Sequence, residues 1–213
     1  MAKKKFIPAL EFSFMTCFYD PMTRLFLPYG FMARELVGAT GVSSGKSLLD
    51  FGCGTASVLT EINRMQTGAK LTGIDIDPEI LAVAKEKIRR SGAAIAIDEY
   101  DGHRLPYEDA SLDVVISSLV FHHIEPEGKR EALKELFRVL KPGGRIAILD
   151  LGPPSGLFAR IGVFMMSFKE HIHDNAEGLL PSYMKEAGFI DVTDKLSFKK
   201  VFGTIYLYAG RRG

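Results

Sequence analysis

Of 213 residues only two are cysteine, Cys17 and Cys53, too few for a disulfide framework or a cysteine-rich zinc module. That usage fits a reducing compartment, and the cytoplasm is the expected location. Charge of one sign is also lacking: 27 Lys and Arg stand against 26 Asp and Glu, and a balance of +1 supplies no field to draw the chain onto nucleic acid. The clusters Lys3 to Lys5 and Arg211 with Arg212 read as solvated ends, leaving at most a weak attraction to an anionic membrane surface. No run approaches the ~18 apolar residues of a membrane span, and Pro8 and Glu11 break the apolar stretch that a signal peptide needs. Repeats and low-complexity tracts are absent as well, so a chain of this length is expected to form one domain, burying roughly 70% of its surface without a staple.

What is present is an alternation. Strand-like runs at 46–51, 70–75, 94–98, 113–118 and 145–150 are separated by segments of helical period, the pattern of βαβ units. The first helix is signalled by Val58, Leu59, Ile62 and Met65. The second has Asp77 as N-cap, Pro78 in its first turn, a stripe of Ile80, Leu81, Ala84 and Ile88, and Gly92 as its stop. The third carries Leu133, Leu136, Phe137 and Leu140, and Lys141-Pro142-Gly143-Gly144 is expected to turn the chain into the next strand. Residues 189–200 and 201–209 read as a closing antiparallel hairpin at the sheet's edge. The expected fold is therefore α/β, a doubly wound, mostly parallel sheet with an antiparallel closing strand and helices on both faces. Residues 1–44 are expected to form an N-terminal helical lid on a domain of residues 45–213, with a second lid insertion at 151–185.

The sharpest local signal is Gly52-Cys53-Gly54 between the first strand and its helix, where glycines permit a tight turn and let a ligand meet bare backbone. Such a turn alone is equally well read as structural. Asp75, 21 residues after Gly54 and closing the next strand, changes the balance, because an acid at that place hydrogen-bonds ribose hydroxyls. Asp77, directly before Pro78, is read as a helix cap only.

Five segments in this order resemble the class I S-adenosylmethionine-dependent methyltransferases, in the small-molecule branch similar to the quinone-biosynthesis methyltransferases. They are Leu49-Asp50-Phe51-Gly52-Cys53-Gly54-Thr55, Gly73-Ile74-Asp75, residues 100–107 with Asp101-Gly102, Phe121-His122-His123, and residues 138–144 ending in Pro142-Gly143-Gly144. The resemblance covers roughly residues 46–150 and implies a Rossmann-like core with S-adenosylmethionine as cofactor. It further implies that Asp50 and the Gly52, Cys53, Gly54 turn hold the methionine end, with Ser118 facing the same moiety. Asp75 would take the ribose, Ile76 an adenine face, and Asp101 with the Gly102 backbone the adenine edge. Tyr19, in Tyr19-Asp20-Pro21, would close over the cofactor's carboxylate. One departure is Ala56, which stands where a third glycine is usual.

Methyl transfer is an in-line displacement, so the protein must align the nucleophile, exclude water and, for some acceptors, remove a proton. His122, His123 and His171 are the candidate bases. His171-Ile172-His173-Asp174 invites a metal reading, but no second ligand cluster stands in register with it and no metal is expected. Residues 157–168, apolar nearly all round, read either as a lid or subunit contact, leaving a homodimer open, or as an adaptable wall for a lipid or quinone-like acceptor. The Asn/Asp-Pro-Pro-Tyr pattern of enzymes acting on DNA bases or amide nitrogens is missing, since Ser117-Ser118-Leu119-Val120 stands there. The expected activity is methylation of a small, apolar acceptor at oxygen, carbon or nitrogen. The alternatives are a non-catalytic S-adenosylmethionine-binding protein and a nicotinamide-dependent oxidoreductase.

Overall fold

The computed structural model describes residues 28–156, 171–200 and 203–213. Seven strands form one sheet: β1 (Ser47–Phe51), β2 (Lys70–Asp75), β3 (Ile95–Glu99), β4 (Leu112–Ser118), β5 (Leu140–Leu151), β6 (Phe189–Lys200) and β7 (Gly203–Arg212). Their order is β3-β2-β1-β4-β5-β7-β6, and β7 alone runs against its neighbours. The expected mostly parallel, doubly wound sheet is thus observed. The closing hairpin is also observed, with β7 inserted beside β5 and β6 left at the edge.

Each central strand sends alternate residues to opposite faces, and both faces are apolar because both are covered. Leu48, Val114, Ile116, Ala147 and Leu149 pack under α1 (Tyr29–Thr40), α2 (Ser57–Arg64) and α3 (Pro78–Ser91). Leu49, Val115, Ile146 and Ile148 pack under α4 (Pro126–Val139) and α6 (Leu180–Glu186). A short helix, α5 (His173–Ala176), precedes α6. The cap expected at α3 is present, since Asp77 accepts from the backbone N–H groups of Glu79 and Ile80, and Gly92 ends the helix at φ +64°.

Three expectations change in detail. Met65 is expected on the α2 stripe, but α2 stops at Arg64 and Met65 is 40% exposed, so the buried stripe ends at Ile62. The Pro-Gly-Gly segment is a bulge inside β5 rather than a turn before it. Leu140 already pairs with Leu112, and pairing resumes at Arg145 with Val114, so residues 141–144 bulge opposite Asp113 alone. Gly144 is required there, because a Cβ would stand 2.8 Å from the Lys141 carbonyl and 3.1 Å from that of Asp113. Finally, the described part of the N-terminal segment is core as much as cover: Met32, Ala33 and Leu36 of α1 are fully buried. Residues 1–27 and 157–170, which carry Tyr19 and the expected apolar wall, lie outside the described residues.

Connections from β1 and β4 leave the sheet in opposite directions, and β1 and β4 are neighbours. This is the switch point at which open α/β sheets hold ligands, beyond the carboxyl ends of the strands.

Candidate active site

A cavity of about 760 Å³ opens at that switch point. One wall is mostly backbone. Phe51 ends β1 and Gly52 turns at φ +72°, its N–H and that of Cys53 both donating to the Ile74 carbonyl, at 2.9 and 3.0 Å. A Cβ at Gly52 would collide with both methyl groups of Val120, reaching Cγ1 at 2.8 Å, so this position admits no side chain. Gly54 follows at φ +52°, and its N–H donates to Asp75 Oδ2 at 2.8 Å. Ala56 starts α2 in the same left-handed region, φ +57°, where glycine would be unstrained. The methyl group of the one departure from the glycine pattern is fully buried.

Asp75 joins two turns. Its Oδ1 accepts from the N–H groups of Ile76 and Asp77 at 2.8 and 3.2 Å, while Oδ2 takes Gly54. A carboxylate offers about four acceptor sites, so these three bonds leave one unused at the cavity wall. Burial raises its pKa and the three donated bonds oppose the rise. Asp50 lies beneath the turn, fully buried, and among the described residues neither of its carboxylate oxygens has a hydrogen-bond partner. Burial, and then the charge of Asp75, push its pKa well above the ordinary range. The Cys53 thiol is pushed up by burial and by the same two carboxylates, which makes it a packed group and not a nucleophile.

Gly52, Cys53, Gly54, Asp75, Ile76, Asp101, Gly102 and Ser118 all line the cavity, so the structure brings together most of the residues that the motifs singled out. Asp101 is exposed at its rim and accepts from the His103 and Arg104 N–H groups at 2.9 and 3.3 Å; its pKa is lowered chiefly by the His103 bond. Asp50 is not on the wall but behind it. Tyr29 and Met32 of α1 and Tyr100 after β3 complete this end, and burial raises the Tyr100 hydroxyl to about 12.

The opposite wall is the turn after β4. His123 lines the cavity, its pKa lowered to about 4 by burial first and then by His122, so it is uncharged at neutral pH. His171 also lines the cavity. His122 does not: it is buried with Nδ1 2.7 Å from Asp150 Oδ1, its ring centroid 4.0 Å from that of His123. The proximity of β5 to β4 explains this, because the acid ending β5 takes the imidazole that follows β4.

Several side chains that brace these walls carry no motif. Asp150, 0% exposed, accepts from the backbone N–H groups of Val120, Phe121 and Leu151 at 3.0, 2.7 and 2.7 Å. Lys129, 1% exposed, donates to Asp174 Oδ1, Asn175 Oδ1 and the His171 carbonyl at 2.5, 2.6 and 2.9 Å. On the first wall, Lys87 donates to the hydroxyls of Thr55 and Ser57 at 3.0 and 2.9 Å. The only available signal for Asp150 was an acid ending an apolar strand; Lys129 offered none, lying in a run of ordinary helical charges. Among the described residues no three His, Cys, Asp or Glu side chains gather as a metal site.

This arrangement, a glycine turn tied to an acid at the next strand end, coincides with a family match. Residues 49–148 match the family model described as methyltransferase domain. Over that stretch, a little under half of its length, the chain is similar to a methyltransferase domain. It is 33% identical over 139 residues to a demethylmenaquinone methyltransferase of Thermus thermophilus, covering 64% of this chain and 62% of that protein. It is 30% identical over 142 residues to a ubiquinone/menaquinone biosynthesis C-methyltransferase of Pseudoalteromonas translucida, covering 64% of this chain and 55% of that one. The chain thus spans between half and two thirds of the length of these two relatives. Solved structures with the same fold include an S-adenosylmethionine-dependent methyltransferase from Aquifex aeolicus, at 21% identity and TM-score 0.66 over 90% of this chain and 96% of that one. Another is a geranyl diphosphate C-methyltransferase from Streptomyces coelicolor, at 14% identity and TM-score 0.70 over 85% and 75%. No helix among the described residues is long and apolar enough to cross a membrane.

Proposed function

We propose that this chain is a methyltransferase that transfers a methyl group from S-adenosylmethionine to a small, apolar, quinol-like acceptor. The observation that carries the reading is the Gly52 to Gly54 turn hydrogen-bonded to Asp75 at the mouth of the cavity. The cofactor's groups suit the residues present. Its ribose diol meets the remaining acceptor site of Asp75, its adenine edge the Asp101 and Gly102 stretch, and its cationic end lies over Asp50, a buried acid with no counter-charge of its own. Tyr19, outside the described residues, is assigned to the cofactor's carboxylate, and Ser118 to its methionine end.

When bound, the cofactor supplies an electrophilic methyl group on a sulfonium. A carbon of the acceptor ring forms the new bond to that methyl as its bond to sulfur breaks; the electron pair stays on sulfur, leaving S-adenosylhomocysteine, and the acceptor sheds one proton. His123, uncharged at neutral pH and on the cavity wall, is assigned that proton, which it passes to water, and His171 lines the same space. The apolar lining from Leu119, Val120, Ile124 and Ala132 suits an apolar ring and keeps water from the methyl group. A cytoplasmic setting belongs to the same proposal and rests on the two-cysteine composition.

Calorimetric titration with S-adenosylmethionine and S-adenosylhomocysteine, with reduced nicotinamide dinucleotide as control, tests the cofactor; labelled methyl transfer to a short-chain demethylmenaquinol tests the acceptor. Asp75→Ala is expected to weaken cofactor binding by about 2 kcal/mol or more. Binding without transfer would favour the non-catalytic reading, and binding of the dinucleotide instead would overturn both.

A further inference from the structure

The buried polar groups left unused by that reading converge on Asp150. Its Oδ2 holds the N–H groups of Val120 and Phe121, and its Oδ1 faces His122 Nδ1 at 2.7 Å and Asn175 Nδ2 at 3.5 Å. Asn175 in turn donates to the Leu151 carbonyl at 3.1 Å and accepts from Lys129, which also holds the His171 carbonyl. One buried network therefore reaches the backbone of both cavity-wall segments that carry a histidine. So many donors on one dry carboxylate cost much desolvation and leave the turn little freedom. A loop needing only to connect β4 to α4 does not require them.

We propose that Asp150 and His122 are positioning residues: together they fix the turn after β4, so that the His123 imidazole meets the acceptor in one place and orientation. The assignment rests on the methyl-transfer reading for its purpose, but not for its geometry. Around the His123 ring stand His122 from its own turn and Asp150 from β5, with Lys129 of α4 behind Asp150, and with Glu125 and His171 on the same cavity wall. The His122 ring lies against His123 and carries the hydrogen bond to Asp150, so replacing it removes a side chain that touches both. Burial and His122 hold His123 down to about 4, while Asp150 pulls the other way.

Two variants separate position from mere packing. His122→Asn keeps a side-chain N–H for Asp150, whereas His122→Leu keeps bulk and loses the bond. Imidazole nitrogens are followed by long-range proton–nitrogen NMR across a pH titration, alongside S-adenosylhomocysteine affinity and methyl transfer to a short-chain demethylmenaquinol. In His122→Leu, kcat is expected to fall by about tenfold or more with S-adenosylhomocysteine affinity unchanged, because misplacing a reacting group by about 1 Å has effects of that size. His122→Asn is expected to recover most of the rate. In both variants the His123 titration should rise from about 4 toward the ordinary histidine range. A folded His122→Leu protein with unchanged rate, and with unchanged His123 resonances and titration, overturns the proposal. Should the wild-type protein bind S-adenosylhomocysteine but fail to methylate the quinol, the acceptor assignment falls, while the His123 resonances still decide the positioning role.

Discussion

The two walls of the cavity are held by different means. Between β1 and β2, backbone meets one carboxylate: the Gly52 to Gly54 turn and the N–H groups of Ile76 and Asp77 close on Asp75 over a stretch of few residues. After β4, by contrast, the wall is held by side chains drawn from β5, α4 and the segment around α5, with Asp150, Lys129 and Asn175 as anchors. The first wall has little tolerance for an added atom but depends on few partners. The second tolerates shape changes poorly for another reason, since each buried polar group relies on several others. A wall of the first kind suits a ligand met by backbone, such as a cofactor, and one of the second kind holds the side chains it carries in one place.

The largest effect that would break this comparison is at Gly52. Gly52→Val places a branched side chain against Val120 at a backbone φ of +72°, and is expected to abolish cofactor binding in a protein whose circular dichroism still shows the fold. Retained affinity would mean that the backbone wall is not where the cofactor lies.

Lys129→Met tests the other wall. It strands Asp174, Asn175 and the His171 carbonyl without their donor and is expected to cost about 3 kcal/mol in denaturant unfolding. Pairing it with Asp174→Leu removes the stranded charge and should recover a large part of that loss, because an apolar pair replaces a buried ion pair at little net cost. No recovery would argue that Asn175 and the His171 carbonyl dominate the network.

The smallest effect sharpens the contrast through Asp50. With its folded pKa raised, the folded state holds a proton that the unfolded state releases first, so wild-type stability is greatest below the unfolded value and falls as pH rises toward the folded one. Asp50→Asn removes that slope, and the variant should gain on the wild type by about 1.4 kcal/mol per pH unit across that window. The same charge logic predicts that a cationic cofactor draws the proton off Asp50, so calorimetry in buffers of different ionisation heat should register proton release in the wild type and none in Asp50→Asn.

Legibility follows the same division. The α3 cap at Asp77, the carboxyl ends of β1, β2 and β4, the glycine turn and Asp75 are readable because each is a local pattern whose partners lie close in sequence or at the next strand end. Met65 was misplaced because the period of a helix says nothing of where the helix stops, and the Pro-Gly-Gly segment because a bulge needs a partner strand to define it. His122 and His123 could not be separated by sequence: their rings lie against each other, and which one lines the cavity depends on the acid across at the end of β5.

The sequence by itself determined the alternating α/β order, the turn that a cofactor would meet and the acid that answers it, since these follow from backbone permissiveness and from side chains capping their own neighbourhood. Only the tertiary structure decided that Asp50 is a buried acid without a partner, that His122 looks inward and His123 outward, and that Lys129, an ordinary helical lysine in the sequence, is buried at the centre of a network. The physical reason is desolvation: what a charged or titratable side chain does depends on which groups replace its water, and those groups come from segments that only folding brings together.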